Sequence, residues 1–466
     1  MKKAVILIVT LLMTLSAYCQ EEGPDNMMTL NEYLGFVKTW HPVARQANLK
    51  LNSAQANLMQ ARGGFDPKIQ VDYDTKNFKD SEYYSILNSN FKIPTWYGIE
   101  LKAGYEKNEG YYLNPENTVP EDGLYSAGIS MQLGQGLFIN ERMATLKKAK
   151  IFTGLTAAER ELQINQILFD AITVYIDWYK AQLEVSVLTE FVNNAGERFK
   201  SIKTSAESGD IAAIDSVEAR IQYKSQTLNL EQAALSLAKA RLKASNFLWL
   251  EEGIPLELKE QIRPDTLLLD NLAETLKIND IIPENFDLDT HPKLRMMRDK
   301  IEIMDVDRQL KAEKLKPRID LTYNFLTSDA RYLNTINTGD YKFGLSFEFP
   351  LFLRKERGGL KLAKLKIQDA GYEYDQTSLE LENKIKANYL EVINYKEQLL
   401  IMEEMVSDYN TMLNAEIRKF NFGESSVFLV NSREKSYLDA RLKAIELNYK
   451  IAMSNAKLFQ SMAILP

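Results

Sequence analysis

Cysteine and histidine are almost missing from this chain. One cysteine, Cys19, and two histidines, His41 and His291, occur in 466 residues. Disulfides, thiolate metal sites and cysteine nucleophiles are therefore excluded beyond residue 19. Most general-base arrangements also lack an imidazole. With no glycine-rich phosphate loop and no catalytic constellation, the expectation is a protein that is not an enzyme, with no cofactor and no metal. Positive charge is in short supply too. The chain has 57 basic against 64 acidic residues, for a net charge of −7. That mixed, acidic surface leaves no electrostatic footprint for nucleic acid. Long apolar runs are absent past residue 20, so no helix there can span a bilayer. Entry into a membrane would have to be as a β-barrel, the other way to satisfy backbone groups in lipid.

The first residues do carry an apolar run. Lys2 and Lys3 precede a short hydrophobic stretch from Ala4 to Ala17, and Ala17-Tyr18-Cys19 offers small residues where a signal peptidase reads. Residues 1–19 are read as a signal peptide, and the chain as exported. Acylation of Cys19 is the second reading, weakened because Tyr18 is not small.

What is present is a plan used twice. His41-Pro42 and His291-Pro292 lie 250 residues apart, and each opens a charged, proline-free stretch ending at Pro67 or Pro317. Arg45 matches Arg295, Lys50 matches Lys300, and Tyr73 matches Tyr323. Gly128-Ile129-Ser130 parallels Gly344-Leu345-Ser346, Leu137-Phe138 parallels Leu351-Phe352, and Gly209-Asp210 parallels Gly423-Glu424. Several matches in one order mark a duplication. The histidines themselves read as surface residues before a helix-starting proline.

After each of those prolines the hydrophobic period becomes two. Ile69, Val71 and Tyr73 alternate with Gln70, Asp72 and Asp74, and the same holds around Ile99, Ile129, Ile319 and Phe343. Such strands fit a half-buried soluble sheet or a barrel wall with lipid outside and water inside. Export, and the aromatic residues Trp96, Tyr97, Tyr111, Tyr112, Tyr125 and Tyr341 at strand ends, favour the barrel. Four or six strands per subunit both satisfy the pattern. Too few for a wide barrel, they imply an oligomer.

No proline occurs from Glu121 to Ile254 or from Leu351 to Leu465. Ile164, Leu168, Ala171, Tyr175 and Trp178 keep coiled-coil spacing, as do Ile385, Tyr389, Val392, Leu399 and Met402. The stretch from Arg142 to Glu207 would make a rod of about 100 Å. Each rod reaches a glycine, Gly209 or Gly423, followed by a returning helix. The glycines supply left-handed turn residues. As tips of hairpins, Ser208, Gly209, Asp210 and Ile211, with Phe422, Gly423, Glu424 and Ser425, are expected to dock a partner.

The pattern resembles the TolC-type outer-membrane efflux protein family over nearly all of the exported chain. The residues that carry it are the His-Pro helix starts, Pro67 and Pro317 before strands, and Phe349-Pro350-Leu351-Phe352. The tip glycines, with Ala219 and Ala440 in the returning helices, complete it. The resemblance implies an α+β membrane protein, internally duplicated. Long antiparallel coiled-coil hairpins would form a tunnel, and a β-barrel would be shared by a homotrimer in outer-membrane lipid. Its partners would be a periplasmic adaptor and an inner-membrane pump, with the duct extending into the periplasm. The repeats fall at 20–250 and 291–466, and residues 251–290 would form a mid-tunnel collar. Members close their tips with a tyrosine, an arginine and paired aspartates. This chain has Phe420, Ser425, Leu429 and Ser432 there, with Asp215 matching the acid of the first repeat. A gate closing by an apolar constriction at Leu429 is therefore expected. The competing readings are a pore-free coiled-coil scaffold or adhesin and a periplasmic hydrolase without a visible site. The transported substance stays open.

Overall fold

The computed structural model describes residues 26–279, 283–332 and 338–465. The leader and Cys19 lie outside the described residues. None of the described helices is long and apolar enough to cross a membrane. The chain divides into two compact units.

One unit comprises residues 46–163 and 285–384. Its centre is a six-stranded sheet of β2 (Lys68–Phe78), β3 (Ser81–Pro94), β4 (Ile99–Glu109), β5 (Leu124–Gly134), β7 (Arg318–Thr327) and β8 (Tyr341–Glu348). The strands pair antiparallel in that order, and β5 of the first repeat joins β7 of the second. The first repeat thus carries one hairpin more, β3–β4, than the second. Residues directly opposite in an antiparallel pair share a face, so the register sorts the whole sheet. Ile69 opposes Phe91, Phe91 opposes Ala103, Leu101 opposes Ile129, Ile129 opposes Tyr323, and Tyr323 opposes Phe343. One face is apolar through all six strands. The other holds Gln70, Asn90, Lys102, Ser130, Thr322 and Ser346.

That apolar face is bare. Ile69 is 77% exposed and Phe347 65%. The edge strands β2 and β8 have no partner on their outer sides among the described residues. Beneath the strands, Ile139, Met143 and Ala144 pack on Val306 and Leu310, with Phe65 and Trp96 against them. Trp96 stacks on Phe65 at 5.5 Å, so it belongs to this small core and not to an interfacial girdle. The aromatic cluster at the opposite strand ends is real: Tyr83 stacks on Tyr112 and Tyr105 lies 4.7 Å from Tyr125.

The second unit comprises residues up to Arg45, 164–284 and from Ile385 onward. It contains α1 (Leu30–Trp40), most of α3 (Glu141–Glu207), α4 (Ala213–Ser245), the end of α7 (Arg354–Asn421), and α8 (Val427–Met462). The remaining long helices, α2 (Pro42–Arg62) and α6 (Pro292–Glu313), begin at the two His-Pro pairs. Leu168, Ala171, Ile172, Tyr175, Ile176 and Trp178 of α3 are all fully buried. This helix is enclosed, with Val187, Leu188 and Phe191 meeting Ala233 of α4 and Leu438 and Ile445 of α8. Met402 of α7 packs on Ala440 and Leu447 of α8.

Helices α4 and α7 keep apolar residues on the surface at a seven-residue spacing, broken once on α7 by Lys386. On α4 these are Ile214, Ile221, Leu228, Leu235 and Leu242. On α7 they are Leu365, Tyr372, Leu379, Ile393 and Leu400. A period of seven is the seam of a left-handed coiled coil, and here each seam lacks its other half.

Between α4 and α6 the prolines break the helical pattern. Arg263–Pro264 (β6) pairs in parallel with Met27–Met28 (β1), followed by α5 (Leu268–Thr275). Tyr175 pins this pair, donating to the Met28 carbonyl at 2.6 Å and accepting from the Asp265 N–H at 3.0 Å. Burial pushes the Tyr175 phenol far above its ordinary range.

The histidines are helix caps. The Nδ1 of His41 accepts from the Val43 N–H at 3.2 Å, and that of His291 from the Lys293 N–H at 3.1 Å. The surface reading is wrong for His291, which is 3% exposed. An imidazole at the N-cap position answers one of the orphan N–H groups of the first turn.

Candidate functional site

The two hairpin turns are built alike. At the first, the Asp210 N–H donates to the Ser205 carbonyl at 2.9 Å and the Gly209 N–H to Ala206 at 3.2 Å. At the second, Glu424 donates to Lys419 and Gly423 to Phe420, both at 2.9 Å. This is the paired bonding of a Schellman stop, which needs a left-handed residue at the glycine position. Gly209 has φ +84 and Gly423 φ +78, and nothing lies within 4 Å of a Cβ added at either. The constraint is therefore backbone conformation, and the space around each turn is free for a partner.

The caps differ. Ser426 accepts from the Leu429 N–H at 3.3 Å to start α8, whereas Ala212 before α4 offers no side-chain cap. Asp215 stands instead in the first turn of α4, where a carboxylate favours the positive helix end.

The residues singled out in sequence separate into exposed and packed sets. Ser208, Gly209, Asp210, Phe422, Gly423 and Glu424 are exposed at the turns, Phe422 by 81%. Ser432 and Leu429 are exposed on α8, and Asp215 is half-buried. Ile211 and Phe420 are not free. Both pack against a buried cluster of Ile202, Ala219 and Val427 that joins the two hairpins. Phe420 is half-buried, and its ring helps to hold hairpin to hairpin within one chain. Ser425 is half-buried and donates to the Glu416 carboxylate at 2.5 Å, tying the second turn to α7.

Two features escaped the sequence reading. The first is an apolar pair at the turns, Ile214 and the 65% exposed Phe428. The second is a buried ion pair. The Arg198 guanidinium on α3 binds the Glu434 carboxylate on α8 through two bonds of 2.8 and 2.6 Å, with Glu434 only 1% exposed. Asn431 accepts from Arg198 at 3.3 Å and donates to Glu218 on α4 at 3.4 Å. Three helices from both hairpins thus meet in one polar network near the turns. No group of acidic, histidine or cysteine side chains suited to a metal ion is present among the described residues.

Residues 288–463 match the family model described as outer membrane efflux protein. The chain carries an outer membrane efflux protein domain. The efflux-protein match covers the second repeat, from the start of α6 through α8. The fold likeness extends further, to both repeats. The CmeC outer membrane channel of Campylobacter jejuni superimposes with a TM-score of 0.63 at 14% identity, over 94% of this chain and 86% of that one. The MtrE outer membrane channel of Neisseria gonorrhoeae gives 0.65 at 13%, over 93% and 88%. The outer membrane protein VceC of Vibrio cholerae gives 0.64 at 13%, over 93% and 96%. At these identities the likeness shows the fold, which is that of the outer-membrane channels. No curated protein sequence matches the chain.

Proposed function

We propose that the chain is one subunit of a homotrimeric exit duct in the outer membrane, which passively conducts solutes delivered by an inner-membrane pump through a periplasmic adaptor. The observation that carries this reading is the sheet. An apolar face running across six strands, bare on its outside and open at both edges, is a fragment of a barrel wall. A six-stranded sheet is too small to enclose a lumen, whereas roughly 16–18 strands leave an aqueous channel, the size class three copies reach. The unmatched heptad seams on α4 and α7 support the same assembly. They are two different surfaces, as a head-to-tail ring requires. A pore-free scaffold would leave both seams and the sheet face in water, far more contiguous apolar surface than a soluble protein exposes.

In this reading the turns at Gly209 and Gly423 receive the adaptor, two per subunit and six per ring, with Ile214, Phe422 and Phe428 as apolar anchors. Leu429 on α8 is the candidate constriction.

Edge pairing is directly testable, because the exported chain has no cysteine beyond Cys19 to interfere. Val71→Cys on β2, combined in turn with cysteines at Phe343, Leu345 and Phe347 on β8, should give disulfide-linked dimers and trimers in outer-membrane fractions. If every β8 position yields only monomer, the shared barrel is wrong.

A further inference from the structure

The polar face of the sheet contains a charge arrangement that stability does not explain. Lys68 on β2 lies directly opposite Lys92 on β3, and Lys92 lies directly opposite Lys102 on β4. The row continues through Gly128 on β5 and Asn324 on β7 to Lys342 on β8. Like charges facing each other across neighbouring strands destabilise a sheet, and strands lie only about 4.8 Å apart. None of the four lysines forms an ion pair among the described residues, although the chain as a whole is acidic.

Most of the acids nearby are engaged or too far away. Glu100, two residues from Lys102, is bound by Arg142. Asp320 is bound by Arg318 at 2.8 Å. Asp66, in the turn before β2, is the nearby acid that forms no ion pair among the described residues, and Asp340 has a contact of its own. Asp72 and Glu106 stand four residues along their strands from the row, about 14 Å at the usual rise. That exceeds the screening length of about 8 Å at physiological ionic strength. Four lysines thus face one unengaged carboxylate, and the row keeps a net positive potential.

We infer that this lysine row is an anion-selective zone of the conduit, favouring passage of small inorganic anions and anionic solutes over cations. The inference rests on the channel reading, which makes the polar face the lumen wall. Rings of lysine or arginine along a pore select anions by the same electrostatics. Repeated in each copy, the row would lower the entry barrier for anions in a narrow, partly desolvated lumen.

The test is a reversal potential in planar bilayers under a tenfold KCl gradient, with the purified full-length protein. Wild type should pass chloride more readily than potassium. The variant Lys68→Gln/Lys92→Gln/Lys102→Gln should lower the chloride-to-potassium permeability ratio at least threefold. Lys107→Gln removes a charge from the opposite, apolar face and should leave the ratio unchanged. An unaltered ratio in the triple variant, or an equal shift with Lys107→Gln, overturns the inference. A second readout guards against misfolding. Relief of lysine repulsion should raise the temperature at which the oligomer dissociates on gels, and a lowered temperature would mean the lysines are structural. Wild-type protein that inserts without conducting would instead defeat the channel reading itself, and this inference with it.

Discussion

Arg198 and Glu434 offer the sharpest test of how the two hairpins are held together. Removing the guanidinium by Arg198→Ala leaves a carboxylate that is 1% exposed without its two short bonds. Breaking a buried pair from one side costs about 3–5 kcal/mol, because the remaining charge has no solvent. Asn431 loses its donor at the same time. The double replacement Arg198→Met/Glu434→Leu removes both charges and fills similar volume, so it should fall near wild type. Because the chain has two units, a single melting temperature is a poor measure. Hydrogen exchange of peptides covering residues 190–205 and 427–440 reads the local opening instead. A cost of about 3 kcal/mol corresponds to roughly a hundredfold faster exchange in Arg198→Ala, with the double variant returning to within about tenfold. Exchange in the single variant within tenfold of wild type would falsify the claim that this pair clamps α3 to α8. So would a double variant as fast as the single one, since stranded charge would then not be the cause.

Three further outcomes are expected. Gly423→Ala should destabilise its turn by only about 1–2 kcal/mol, the cost of a left-handed residue with a Cβ, whereas Gly423→Arg should abolish export with oligomers intact on gels; normal export by Gly423→Arg removes the docking role. Leu429→Ser should raise single-channel conductance, and no change in planar bilayers would relocate the gate. Burial in contact with Phe247 holds the His41 imidazole below its ordinary pKa. A depressed folded pKa means its stabilisation is complete above about pH 6.5 and is lost as pH falls through the folded value. Protonation would also remove the Nδ1 acceptor that caps α2, worth about 1 kcal/mol. Unfolding of wild type between pH 7 and 5 should thus show a loss that His41→Asn, which caps without titrating, does not share.

Much of the secondary structure was legible because the periods are clean. Ile69-Val71-Tyr73 and Ile319-Leu321-Tyr323 alternate without interruption, and each falls within a strand whose one face is apolar. The β3 strand was faint because Ser85 and Ser89 dilute its apolar side, leaving Leu87, Phe91 and Ile93 to mark it. Only the register, with β3 between β2 and β4, places it in the sheet. Tertiary facts were out of reach. Arg198 and Glu434 stand 236 residues apart, and nothing in their local spacing differs from a solvated helix face. Trp96 reads as an interfacial aromatic until Phe65, from another element, is seen beneath it. Phe420 matches a pore position by counting from Gly423, and counting alone could not show that its ring also packs on Ile202 and Val427.

The seam between β5 and β7 sets an order of events for the newly made chain. Met131 pairs with Leu321, 190 residues later. Neither repeat can complete the sheet alone, and the loop to be closed includes all of α3 and α4. Pairing over such separations is slow, while helices form within microseconds. The hairpins should therefore be folded while the strands are still unpaired, with Ile69, Phe343 and Phe347 waiting in water. In that interval the chain is most open to aggregation, and the danger passes only once the apolar face of the finished sheet is covered.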